Sequence, residues 1–188
     1  MDLTFKTGHG IFNYRVCAVI MHNNKLLAMK NNNTPYYFLP GGRVALHETT
    51  DNALHRELKE ELGIEAKIVR PLWFAQTFFV EDQSKEKFHE ICLYYLVDVS
   101  DTPLVKQVQI VGLETRNNEI FEWLDVDTLN RQYLYPLFIK EKINPFCGND
   151  KLIFMSLVDV SLKLCALEHI TIVVRETAQV TWIVHKIL

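Results

Sequence analysis

The chain contains no C-x-x-C pair, no histidine–cysteine cluster, no internal repeat and no low-complexity linker. No apolar run reaches the roughly 18 residues that suggest a membrane span. Each absence removes a class of protein. Without paired His or Cys ligands, a zinc site is not expected. The four cysteines, Cys17, Cys92, Cys147 and Cys165, show no framework spacing. They read as small buried hydrophobes in a reducing compartment, with one or two disulfides as the alternative. The opening MDLTFKTGHGIFNYR lacks the basic start and apolar stretch of a secretory signal, so a cytoplasmic protein without a membrane partner is expected. An excess of positive charge is missing too. The formal net charge is -3 and the pI is about 6.2, so no basic field is available to hold a long nucleic acid. A small anionic substrate carried by metal ions is compatible with that charge.

What is present suits a globular unit. The 188 residues are 48% hydrophobic and 23% charged, enough for one domain with a sizeable core. Residues 14–21 (YRVCAVIM) form an apolar, β-branched run and predict a buried strand. The polar turn at 22–25 follows, because Asn tolerates positive φ. A return strand is expected at 26–30, a turn at 31–35 and a short strand at 36–39. Pro40-Gly41-Gly42 then opens a loop that runs to about Thr49. Thr49 or Thr50 caps a helix ending at Leu62, where Gly63 stops it. Strands are expected at 66–69, 72–80, 88–99 and 119–124, and helices at 125–132 and 137–143. Strands flanking isolated helices predict an α/β fold, a mixed sheet with helices on its faces. We divide the chain into a domain at 1–143 and a C-terminal segment at 144–188, packed on the same domain. The segment is apolar and strand-prone with a weak helical pattern at 156–167. It completes the core, forms an oligomer interface, as in a homodimer, or includes non-native residues.

The helix at 50–62 carries an electrostatic penalty. Glu57, Glu60 and Glu61 stand at i, i+3 and i+4 and share one face. Like charges at i and i+4 cost roughly 0.2–0.5 kcal/mol. Carboxylates in the last turn oppose the helix dipole, at roughly 0.3–1 kcal/mol each. Arg56 and Lys59 relieve part of this. A sequence that breaks a local rule in this way often does so at a functional site. A hard divalent cation such as Mg²⁺, which takes oxygen ligands and substrate phosphates, is the natural compensation. A solvated charged face is the alternative.

With the preceding loop included, residues 42–64 resemble the Nudix box, G-x5-E-x7-R-E-U-x-E-E-x-G-U, where U is a bulky aliphatic residue. Gly42, Glu48, Arg56, Glu57, Leu58, Glu60, Glu61, Gly63 and Ile64 meet every specified position. The resemblance implies a Nudix-like α/β/α sandwich with a central mixed β-sheet. It implies hydrolysis of a phosphoanhydride in a nucleoside-diphosphate-linked small molecule or a nucleoside triphosphate. By the same resemblance Glu57, Glu60 and Glu61 hold Mg²⁺ or Mn²⁺, and the backbone carbonyl of Gly41 or Gly42 adds a ligand. Arg56 orients a box carboxylate, and Glu48 pairs with it. The proton acceptor lies within the box, at Glu57 or Glu61, or outside it, at Glu119 or Glu114. Glu119 ranks first, because it opens a strand late in the domain; an ordinary surface charge is the alternative.

For substrate contacts the sequence offers Arg15 for phosphate and Phe38 and Phe78 for stacking. Phe12, Tyr14, Trp73 and Phe79 are further aromatics, each with core packing as the plainer reading. His89 and Glu90 are polar residues at a strand start. No proline stands about sixteen residues past the box, as in many ADP-ribose-cleaving members; Val80 occupies that place. The extended motif of coenzyme A pyrophosphatases is absent too. A non-catalytic nucleotide sensor and a pyrophosphohydrolase of RNA 5′ ends are the competing functions.

Overall fold

A computed structural model of the chain describes residues 1–32, 34–81, 83–113 and 118–143, together with the backbone of three strands at 153–158, 171–176 and 179–184. In chain order the elements are β1 (Thr4–Thr7), β2 (Gly10–His22), β3 (Lys25–Lys30), β4 (Gly41–Arg43), α1 (Thr50–Leu62), β5 (Lys67–Val80), β6 (Lys87–Asp98), β7 (Gln109–Val111), β8 (Ile120–Asp125), α2 (Phe138–Lys142), β9 (Ile153–Val158), β10 (Thr171–Glu176) and β11 (Gln179–Val184). Short 3₁₀ turns occupy Pro103–Lys106 and Val126–Arg131.

The long strand β2 organises the sheet. One of its edges pairs in parallel with β6, from Ile11↔Phe88 to Ile20↔Val97. Its other edge is divided among three short partners: β1 beside residues 10–13, β4 beside 15–17 and β3 beside 21–22. The order runs β7-β8-β3-β2-β6-β5-β9. The β2–β6 and β5–β9 pairs are parallel and the others antiparallel, so the sheet is mixed, as expected.

Both faces of β2 are covered, which explains its unbroken apolar run. Val16, Ala18 and Ile20 pack beneath Ala53, Leu54, Leu58 and Leu62 of α1. Cys17 and Val19 face the opposite way, with Leu26, Ala28, Trp73 and Tyr94, under Leu129, Leu134, Phe138 and Ile139. Trp73, Tyr94 and Phe138 meet edge to face at centroid distances of 5.8, 5.3 and 5.4 Å, a geometry that aromatic quadrupoles favour. These layers are the α/β/α sandwich.

Most element boundaries agree with the sequence reading. The β2–β3 turn carries Asn23 and Asn24 at φ 48 and 59, the pattern of a two-residue hairpin turn that matches strand twist. Thr49 is the cap of α1, its hydroxyl accepting from the Asn52 N–H, while Thr50 bonds the Tyr95 hydroxyl at 2.6 Å. Other expectations need correction. Residues 36–39 make only isolated bridges, Met29↔Phe38 and Tyr37↔Leu134. Gly41–Arg43 is a strand rather than open loop, because β2 supplies its ladder. The two strands expected around Pro71 are one, β5, which absorbs the proline through register shifts. The helix expected at 125–132 is a 3₁₀ turn. Strands β1 and β7, short and largely exposed, had no periodic signal. Of the tail, residues 153–158, 171–176 and 179–184 form strands, so the start of the helical pattern expected at 156–167 is strand; most of the segment, with Cys147 and Cys165, lies outside the described residues. Cys17 and Cys92 are buried free thiols, with their sulfurs 3.6 Å apart.

Leu58 is fully buried between α1 and the sheet. Leu58→Ala is expected to lower the free energy of unfolding by about 2–5 kcal/mol, whereas Thr49→Ala, which removes only the cap, costs about 1 kcal/mol. Urea unfolding of both variants measures the difference; equal losses would contradict this division of labour.

Candidate active site

Residues 41–64 fold as strand, loop and helix, so β4 lies directly against α1. Two glycines permit that contact. Gly41 has φ +131, and a Cβ there would stand 2.3 Å from the Val16 carbonyl oxygen. Gly42 faces the Glu57 carboxyl group, and its Cβ would meet that group at 2.3 Å. A side chain at Gly41 would push the strand off β2, and one at Gly42 would push it off the helix.

The three helix carboxylates do not share one environment, contrary to the simple face reading. Glu61 is buried, and its Oε2 accepts from the Gly41 N–H at 3.0 Å. Glu57 is mostly covered beneath Gly42, with its side chain 14% exposed, whereas the Glu60 side chain is 46% exposed. Arg56 gathers them. Its Nε and Nη2 donate to the two oxygens of Glu48 at 2.9 and 3.0 Å, and Nη2 also donates to the Arg43 carbonyl at 2.9 Å. Its Nη1 donates to Glu57 at 2.6 Å and Glu60 at 3.2 Å. All five N–H groups of the guanidinium are thus used. Glu48 in turn accepts from the Ala45 N–H at 2.9 Å, and the bond from Arg56 holds its carboxyl below the usual carboxylate range.

Glu119 is brought in from the segment between β7 and β8. It lies just before β8 and is 5% exposed, so it is neither strand nor surface charge. Its carbonyl accepts from Gly112 N–H, and the next N–H, of Leu113, donates to the Glu61 carbonyl. This ladder sets Glu119 beside Glu61. Burial raises the Glu61 pKa well above 4.5, and the charges of Glu119 and Glu57 raise it further. Burial also raises Glu57, against the opposing pull of Arg56. Glu114 lies outside the described residues. Among the described residues no three His, Cys, Asp or Glu side chains enclose an ion position; Arg56 takes one oxygen from each of Glu57 and Glu60.

Arg15 lies on β2 with its Nη2 donating to the Gly41 carbonyl at 3.1 Å, adjoining the carboxylates. Phe38, three residues before Gly41, is partly buried against the α1-side core. Phe78 is separate from this cluster; its ring packs on His89 of β6 at 4.4 Å. The Arg43 carbonyl and the Ala45 N–H were missed by the sequence reading, because backbone groups carry no residue-type signal. Asn13, buried on the same face as Arg15, was missed as well.

The raised Glu61 carboxyl has a consequence for stability. The folded protein holds that proton more tightly than the unfolded chain, so this contribution is full below pH 4.5 and is lost as pH rises through the elevated value. Glu61→Gln removes the titration. Metal-free Glu61→Gln is therefore expected to gain stability relative to wild type as pH rises from 4.5 to neutrality. Urea unfolding across that range checks this; a constant difference would contradict it.

Comparison with known proteins agrees with the fold and the box. The family model for the NUDIX domain matches residues 12–141. An ADP-ribose pyrophosphatase of Methanocaldococcus jannaschii is 32% identical over 87 residues, covering 45% of this chain and 49% of that protein. The mRNA-decapping protein D10 of fowlpox virus is 31% identical over 129 residues, covering 64% of this chain and 53% of that protein. The chain thus spans about half the length of these curated relatives. Among solved structures, a MutT protein from Bacillus halodurans superposes with a TM-score of 0.55 at 13% identity, over 78% of this chain and 89% of that one. A NUDIX hydrolase from Nitrosomonas europaea gives 0.52 at 16% identity, over 74% and 91%. The match of the family model over most of the described domain, on a fold that these structures share, makes the chain a member of the Nudix family.

Proposed function

We infer that the protein is a divalent-metal-dependent hydrolase that cleaves a phosphoanhydride in a nucleoside-diphosphate-linked small molecule or a nucleoside triphosphate. The observation that carries this reading is the burial of Glu61 beside Glu119, with Glu57 close by. Carboxylates buried together without a compensating cation are costly. Their oxygen-only donor set suits Mg²⁺ or Mn²⁺. Glu57, Glu60 and Glu61 are the proposed ligands, with a carbonyl of Gly41 or Gly42. Bound there, the ion neutralises phosphate oxygens and lowers the pKa of the attacking water.

The remaining roles fall to the protein's own groups. Glu119 is the proposed acceptor of the water's proton, since it is buried beside Glu61 and lies outside the box helix. Arg56 and Glu48 fix the box carboxylates. Arg15 binds a substrate phosphate, and Phe38 and Phe78 offer aromatic surface to the rest of the ligand. The substrate is a small nucleotide. The named activity of the archaeal relative, ADP-ribose pyrophosphatase, supports this class. A second reading, removal of pyrophosphate from RNA 5′ ends, is supported by the likeness to the fowlpox mRNA-decapping protein. The net charge of -3 favours the first.

Dinucleotides, nucleotide sugars, nucleoside triphosphates and a triphosphate-ended oligonucleotide, each assayed with Mg²⁺ and Mn²⁺, separate these readings. Metal-dependent release of a nucleoside monophosphate from a free nucleotide is expected. Glu60→Gln should abolish it, and Arg56→Lys should cost about 10–100-fold in kcat/KM, because lysine cannot reproduce the five-bond fork. Tight nucleotide binding without turnover would instead indicate a sensor.

A further inference from the structure

Arg15 makes one contact that the proposed chemistry leaves without a purpose: Nη2 donates to the Gly41 carbonyl at 3.1 Å. Its Nε is buried and has no hydrogen-bond partner among the described residues. A guanidinium is permanently charged, and a buried N–H that makes no bond is costly. The side chain stands between two sets of carboxylates. Glu90, in register on β6 with the residue two before it on β2, attracts it from one side. Glu57 and Glu61 feel its charge from the other. Its other close neighbours are the thiols of Cys17 and Cys92, which are weak acceptors, and the Tyr94 side chain.

Gly41 cannot turn its carbonyl elsewhere. Its N–H is committed to Glu61 Oε2 at 3.0 Å, and the backbone at φ +131 is wedged against Val16 and Cys17. A divalent ion bound to that carbonyl at its usual distance of about 2 Å would stand within about 5 Å of the Arg15 nitrogen. At that separation, in a half-buried site, two positive charges repel strongly. A phosphate oxygen is the group best able to take the guanidinium in exchange, since Nε and an Nη together match two oxygens of one phosphate.

We propose that Arg15 is a resident counter-cation that occupies the Gly41 carbonyl while the carboxylates hold no metal ion and is handed to the substrate's phosphate when the ion binds. The idea rests on the metal site proposed above. It makes Arg15 a positioning residue that couples the two binding events. Coupling of this kind is reciprocal: whatever draws Arg15 off the carbonyl favours the metal, and the metal favours phosphate.

The test is Mn²⁺ binding by the full chain without nucleotide, read from the electron paramagnetic resonance signal of free Mn²⁺. Arg15→Gln is expected to bind Mn²⁺ more tightly than wild type, by a factor in the range of about 5–150. Arg15→Met removes the charge, keeps the volume and gives the same reading should the glutamine variant fail to fold. Inorganic phosphate is expected to tighten Mn²⁺ binding more in wild type than in either variant. Equal or weaker Mn²⁺ binding by the neutral variants overturns the role of Arg15 and leaves the metal site standing. No Mn²⁺ binding by any form, wild type included, overturns the metal site and this inference with it.

Discussion

The guanidinium of Arg56 ties together three pieces of chain that would otherwise repel or drift apart. Its partners are the Glu48 carboxylate, the Arg43 carbonyl, and Glu57 and Glu60 on its own helix. Each bond to a carboxylate is charge-assisted, and together they set the loop after β4 against the first half of α1. With that loop fixed, Gly42 can sit against Glu57, and Gly41 can present its N–H to Glu61. The helix therefore tolerates three carboxylates within two turns, because a cation with five donors is built in beside them.

Around this clamp the sandwich separates support from chemistry. The face beneath α1 is apolar, so Leu54, Leu58 and Leu62 hold the helix in position without polar partners. The opposite face of β2 carries Asn13, Arg15 and Cys17 toward the site end and Val19 toward the aromatic core of Trp73, Tyr94 and Phe138. Solved Nudix-type folds at 13% and 16% identity superpose on this one, as expected if packing pattern rather than particular residues sustains the sandwich.

The site was readable where chemistry demands a residue type at a fixed spacing. Gly42, Glu48, Arg56, Glu57, Glu60 and Glu61 stand out in the sequence because no propensity rule would assemble them. The cap at Thr49 and the Asn23-Asn24 turn were legible for a similar reason, since each solves a local backbone problem. What escaped depends on tertiary context. Glycine is poor in strands, so β4 was invisible until β2 provided its ladder. Glu57 and Glu60 are neighbours on a helical wheel, yet one lies under a strand and the other in solvent. The burial of Glu119 follows from a backbone ladder through Gly112 and Leu113, which no side-chain pattern announces. Proline at 71 suggested a break where register shifts keep β5 continuous.

The divided edge of β2 bears on how such a protein can diversify. Because β1, β4 and β3 each hold only a few residues of that edge, no ladder runs the full length of the strand on that side. The connection between β3 and β4 leaves and re-enters that edge, while the one after β4 leads to α1 and is held there by the Glu48–Arg56 pair. The β3–β4 connection can be lengthened, shortened or exchanged without shifting the register of β2 on β6, which is set along the other edge. The carboxylate cluster thus rides on a fixed rail, while the β3–β4 connection is a replaceable module. New loops can be grafted there with the carboxylate cluster unchanged.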